Sequence, residues 1–195
     1  MRAMLVQRVQ QQLIDSADLG YQCAESLGPA VEAAIGAVVA TVTGGGKVLA
    51  CGVGNGRVLA QLLVNHCLNG LERDRPALPA VLVDVPVGLP GAAARAVSAL
   101  AQPDDMLLLL GDNGTAPEWL ALVHAAHERD MTVLALTGAG GGALARALRD
   151  TDVHVCVPHT RLLRIHEMHH LVLNSLCDGI DAQLLGDVTE PENLE

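Results

Sequence analysis

Residues 47–70 read KVLACGVGNGRVLAQLLVNHCLNG, and this stretch decides the fold. It opens on a short apolar run, Val48-Leu49-Ala50-Cys51. A glycine-rich turn follows, Gly52-Val53-Gly54-Asn55-Gly56. Apolar residues then recur at helical spacing, at Val58, Leu59, Leu62, Leu63 and Cys67. Strand, glycine turn and helix make the first half of a βαβ unit. In such a unit the free N–H groups at the helix start face the carboxyl end of the sheet, where anions and phosphates bind. The turn lacks the third glycine of a GxGxxG fingerprint and the Gly-Lys-Ser/Thr ending of a P-loop. A tight turn without a ligand explains its glycines as well as an anion cradle does.

On the amino-terminal side, apolar positions at Leu5, Val9, Leu13, Ala17 and Leu19 predict an amphipathic helix over residues 3–26, broken at Ser26 or Gly28. Residues 29–43 predict a second helix with Pro29 near its start, ended by Gly44-Gly45-Gly46. On the carboxyl side, residues 71–76 form a polar loop and 79–84 a strand. A Pro/Gly-rich loop covers 85–91, and an Ala-rich helix covers 92–101. Residues 106–110 are unbroken apolar and predict a central parallel strand, ending at Gly111-Asp112-Asn113-Gly114-Thr115. A helix follows from Pro117 to about Arg129. The unit then recurs, with a strand over 131–136, a turn over 137–142, a helix to Arg149 and a strand over 153–157. A long helix from near Arg161 to about Leu185 precedes an acidic tail, 187–195, expected to fray. This alternation predicts an α/β fold, a doubly wound five-stranded parallel sheet flanked by helices and preceded by two N-terminal helices. One domain spans 1–195, with leading helices over 1–44 and the α/β core over 47–186.

Half of the 195 residues are hydrophobic, yet there is no Phe, one Trp and one Tyr. The core must therefore be Ala, Leu and Val, which suits close helices and buried parallel strands. A net charge of −10 argues against a nucleic-acid backbone as a direct partner. No unbroken 18-residue apolar run is present, so no membrane span is expected. The opening MRAMLVQRVQQQLIDS has Gln and Asp where a signal peptide would be apolar, so the expected location is cytoplasmic. Five widely spaced cysteines, Cys23, Cys51, Cys67, Cys156 and Cys177, read as buried thiols.

Six short motifs carry a resemblance: Cys51-Gly52-x-Gly54, Arg75-Pro76-x-x-Pro79-Ala80, Asp105-Met106-Leu107-Leu108, Arg129-Asp130-Met131-Thr132-Val133, Leu136-Thr137-Gly138 and Arg164-Ile165-x-Glu167-Met168-His169. In this order and spacing the chain resembles the sugar isomerase (SIS) domain family over nearly its whole length. Within that family it is similar to phosphoheptose isomerase and to the DnaA initiator-associating protein. The ending Leu176-Cys177-Asp178-x-Ile180-Asp181 is nearer the latter. The resemblance implies a homotetramer with phosphosugar sites near subunit interfaces. It places candidate phosphosugar contacts at Gly54, Asn55, Gly56, Arg57, Asp112, Asn113, Gly114, Thr115 and His166.

The departures from the family pattern shape the functional expectation. Gly56 stands where the family has a phosphate-holding Ser. Positions the isomerase uses for acid/base work or metal binding hold Leu62 and Asn65, and on the last helix Leu163, His166 and Asn174. The second loop keeps one hydroxyl, Thr115, and its Asp112 would repel a dianion. The expectation is therefore a non-catalytic oligomeric scaffold that binds the replication initiator DnaA through Leu184 and Leu185. The alternative is a phosphoheptose isomerase acting on sedoheptulose 7-phosphate, or a phosphosugar sensor.

Two further features invite a function. His166-Glu167-Met168-His169-His170 satisfies H-E-x-x-H, which on a helix puts His166 and His170 on one face, as in a zinc site. No third ligand follows it, so no cofactor is expected, with zinc on His166 and His170 the exception. Arg57 could hold a phosphate or carboxylate bidentately, or pair with Asp84 or Asp112. His124 and His127 are expected to be solvated, and Asp104-Asp105 to be a loop charge pair.

Overall fold

The structure, a computed structural model, describes residues 2–84 and 88–186. Part of the expected loop over 85–91 and the expected acidic tail therefore lie outside the described residues. The strands are β1 (Val48–Gly52), β2 (Ala80–Leu82), β3 (Met106–Leu110), β4 (Thr132–Gly138) and β5 (Val153–Val157). The helices are α1 (Arg2–Thr43), α2 (Gly56–Asn69), α3 (Ala92–Leu100), α4 (Pro117–His127), α5 (Gly142–Ala147) and α6 (Leu162–Leu185). All strand pairs are parallel, in the order β2-β1-β3-β4-β5.

Alternation along each strand divides the core in two. Val48, Ala50, Met106, Leu108 and Leu110 face α1, α2 and α6. Leu49, Cys51, Leu107 and Leu109 face α3, α4 and α5. Every residue of β3 is buried, as its unbroken apolar run requires for a strand covered on both faces. Burial pushes the Cys51 thiol up to about 12 and the Cys67 thiol up to about 11. These two are inert packing groups, while Cys156 on β5 is half-buried.

The two predicted N-terminal helices are one helix of 42 residues that runs through Pro29. Leu19, Cys23, Leu27, Ala34 and Val38 are all buried, so the apolar stripe stays in phase across the proline. Packing of that stripe on α6 and β5 outweighs the roughly 3 kcal/mol that an interior proline costs. By length and composition this helix could also cross a membrane. Its buried positions, however, form part of the sheet's own core. β2 has three residues rather than the six predicted, as befits an edge strand, and β4 runs two residues further than predicted.

Two polar features differ from their expected roles. Asp105 is buried and binds Lys47 Nζ at 2.5 Å and the backbone N–H groups of Lys47 and Gln102 at 2.9 and 2.8 Å. Burial alone would raise its pKa, but these bonds hold the carboxyl below its ordinary 3.8. His124 is exposed as expected. His127 instead meets buried Asp152 at 2.7 Å, and Asp152 also accepts from the N–H groups of Val133 and Arg149.

Candidate active site

The chain leaves β1 towards β2 on one side and returns to β3 on the other. The carboxyl ends of β1 and β3 therefore flank a topological switch point, where doubly wound sheets bind ligands. Gly52 is in register with Leu110, so the turn after β1 and the loop after β3 lie side by side. Glycine is required at this junction. A Cβ on Gly52 would strike the backbone of Gly56, and a Cβ on Gly56 would strike the Leu110 carbonyl. The missing hydroxyl at Gly56 is thus a packing requirement of this turn.

The turn also uses its own donors. The N–H groups of Gly56, Arg57 and Val58 bond to the carbonyls of Val53, Gly54 and Asn55 at 3.0, 3.2 and 3.1 Å. The helix start is therefore less open to an anion than the sequence suggests. Gly54, at φ 57°, supplies the left-handed step. Arg57 pairs with Asp84, not Asp112, through Nε at 2.6 Å, and both side chains are about half exposed. That hydrogen bond holds the Asp84 carboxyl below its ordinary range. The terminal nitrogens of Arg57 have no partner among the described residues.

In the loop after β3, Asn113 Oδ1 accepts from the Thr115 N–H and hydroxyl at 3.2 and 2.7 Å. Gly114 packs directly on the Gly141 backbone of the next loop. Asp112 turns the other way and meets His166 Nε2 at 2.6 Å, reaching across from β3 to α6. The carboxylate that sequence reading treated as a repulsive defect is the partner of the histidine it assigned to the pocket. The two lie 54 positions apart in sequence, and no local pattern joins them.

His166 lines a cleft of about 370 Å³ with Asn55, Val58, Leu59, Leu163, Glu167 and His170. His169, one turn further along α6, is buried and donates from Nε2 to the Thr137 carbonyl at 3.1 Å. Burial lowers its pKa to about 4. The H-E-x-x-H string does not assemble a metal site. Glu167 binds Arg164 and Ser16, and His166 binds Asp112. Among the described residues no group of three or more His, Cys, Asp or Glu is placed to hold an ion. Of the other positions singled out, Leu62 and Asn174 are half-buried and Asn65 is exposed on α2. Leu184 packs on the core and Leu185 is 41% exposed.

A parallel sheet in this order, with paired glycine loops at its switch point and an imidazole–carboxylate pair across them, is a doubly wound domain with its candidate ligand site at the switch point. The SIS domain family matches residues 15–138, and the chain belongs to that family. It is 44% identical to a phosphoheptose isomerase of Methylibium petroleiphilum, over 94% of this chain and 97% of that one. It is 39% identical to one of Azoarcus sp., over 93% and 98%. Among solved structures, the phosphoheptose isomerase of Francisella tularensis superposes with a TM-score of 0.85 at 34% identity, covering 90% of this chain and 97% of that one. The Neisseria gonorrhoeae enzyme superposes with a TM-score of 0.82 at 31% identity, covering 91% and 99%. These likenesses correct the expectation of a non-catalytic DnaA-binding scaffold. The near-full-length relatives bear the name of the isomerase, which had been only the alternative.

Proposed function

We propose that the chain is an aldose–ketose isomerase of the phosphoheptose isomerase kind, acting on sedoheptulose 7-phosphate. The observation that carries this reading is the 2.6 Å contact of His166 with Asp112 at the switch point, in a chain this similar to named isomerases. Isomerisation moves a proton between adjacent carbons and needs a positioned base. Asp112 accepts from Nε2–H of His166, which fixes the tautomer and leaves the Nδ1 lone pair to take the proton. The same carboxylate stabilises the imidazolium until the proton is returned to the neighbouring carbon, while the substrate's own hydroxyl proton passes from O1 to O2 of the enediolate, so that O1 becomes the new carbonyl oxygen. Arg57 is the one cation on the two glycine loops, and its two terminal nitrogens, without a partner among the described residues, suit the phosphate. Among the described residues no set of three or more His, Cys, Asp or Glu fits a metal ion, and the proton is carried by the imidazole itself.

The reading includes self-association as a homotetramer. Met4, Leu5, Val9 and Leu13 on α1 are each more than half exposed, an apolar surface that a second copy would cover. The decisive assay is conversion of sedoheptulose 7-phosphate by the purified protein and by His166→Ala. The wild type should turn over, and the variant should lose roughly 100-fold or more in kcat. Wild-type inactivity, or a variant as active as the wild type, would sink the reading.

A further inference from the structure

Glu167 shares the cleft with His166, and its two carboxylate oxygens have different surroundings. Oε2 accepts from Arg164 Nη1 at 2.5 Å and from Ser16 Oγ at 2.9 Å. Oε1 accepts no hydrogen bond among the described residues, and the side chain is 34% exposed. Arg164 is itself buried, and its Nη2 is held by the backbone carbonyl and side-chain oxygen of Gln12 at 2.8 and 2.9 Å. The carboxylate is therefore fixed from α1 and α6 together, with one lone acceptor left over. Burial would raise its pKa, but the bonds from Arg164 and Ser16 hold it below the ordinary 4.5. Such a group is a weak base at neutral pH and a strong hydrogen-bond acceptor.

Among the described residues lining the cleft, Glu167 is the one carboxylate. Val58, Leu59 and Leu163 are apolar, His166 is engaged by Asp112, and Asn55 and His170 are neutral acceptors weaker than a carboxylate oxygen. A sugar chain entering the cleft brings several hydroxyl donors. We propose that Glu167 Oε1 is a specificity determinant that accepts a hydrogen bond from one hydroxyl of the substrate chain, so that the cleft selects a polyhydroxy chain over a deoxygenated one. This inference rests on the isomerase reading. A site built to bond a hydroxyl discriminates strongly against the analogue that lacks it.

The test measures turnover and calorimetric binding of sedoheptulose 7-phosphate and a set of its monodeoxy analogues. The proteins are the wild type, Glu167→Ala and Glu167→Gln. For wild type, KM and Kd for one analogue should be at least ~10-fold weaker than for the parent. That penalty should fall below ~3-fold in Glu167→Ala, while the penalties for the other analogues persist. Glu167→Gln keeps an oxygen for Arg164 and removes the charge from the free position, so the charge-assisted bond is lost and the penalty for that analogue should shrink even if the alanine variant does not fold. A wild type that handles every monodeoxy analogue like the parent overturns the proposal without any variant. Unchanged discrimination in the folded Glu167 variants overturns it as well. A wild type that neither binds nor converts the parent sugar fails at the isomerase reading, and this inference falls with it.

Discussion

Asparagine at position 112 would keep the shape of the contact with His166 and remove the charge that orients the ring. Loss of that orientation disturbs a proton transfer far more than it disturbs binding. For Asp112→Asn we expect kcat to fall about 100-fold with KM within a few-fold of wild type, measured by steady-state kinetics. Asp112 is half-buried and ties no backbone with its side chain, so the melting temperature should barely move. An equal loss in binding would instead make Asp112 a substrate contact. The same residue marks the limit of sequence reasoning. Its loop, its sign and its place at a strand end were all legible, but its partner on a helix 54 residues later was not. Asp105 repeats the lesson, since only the fold shows that Lys47 covers it.

At the scale of elements, α6 is fixed to β4 by the bond from His169 Nε2 to the Thr137 carbonyl. This histidine is neutral when buried and takes up a proton readily when unfolded. Its native pKa of about 4 lies below the ordinary 6.5, so the unfolded state binds more protons between those values. Stability is unaffected by this group above about 6.5, and should fall by about 1 kcal/mol per pH unit as the pH drops towards 4. Urea titrations across that range should show the slope, and His169→Gln should flatten it. A wild-type profile no steeper than the variant's would refute the assignment. The strands and helices themselves were readable because apolar periodicity reports burial directly. Met106–Leu110 and Val153–Val157 match their predicted limits. The break predicted near Gly28 did not occur, because the stripe from Leu19 to Val38 is held by tertiary packing that local propensity does not encode.

At the scale of the whole molecule, the first part of α1 is the least satisfied surface. Met4, Leu5, Val6, Val9, Leu13 and Ile14 are each at least half exposed, whereas the same helix is woven into the core from Leu19 onward. Removal of residues 2–11 leaves Gln12 and Ser16 on Arg164 and Glu167. Light scattering should then report a mass near that of one chain, against about four chains for the full protein. A full-length protein that already runs as a monomer would overturn the tetramer. The assembly state also bears on the site, because α1 is one of the two helices that hold Glu167 in place.

The sequence contains a single tryptophan, and it lies under the loop that carries Asp112. Trp119 is 3% exposed, and its indole lies so close to Gly111 that an added Cβ would sit 3.1 Å from the ring. Emission selected for tryptophan therefore comes from one place, the base of the candidate site, free of background from any other indole. Its wavelength and quenching would follow the opening or tightening of that loop as a sugar phosphate is added, an optical signal that needs no label.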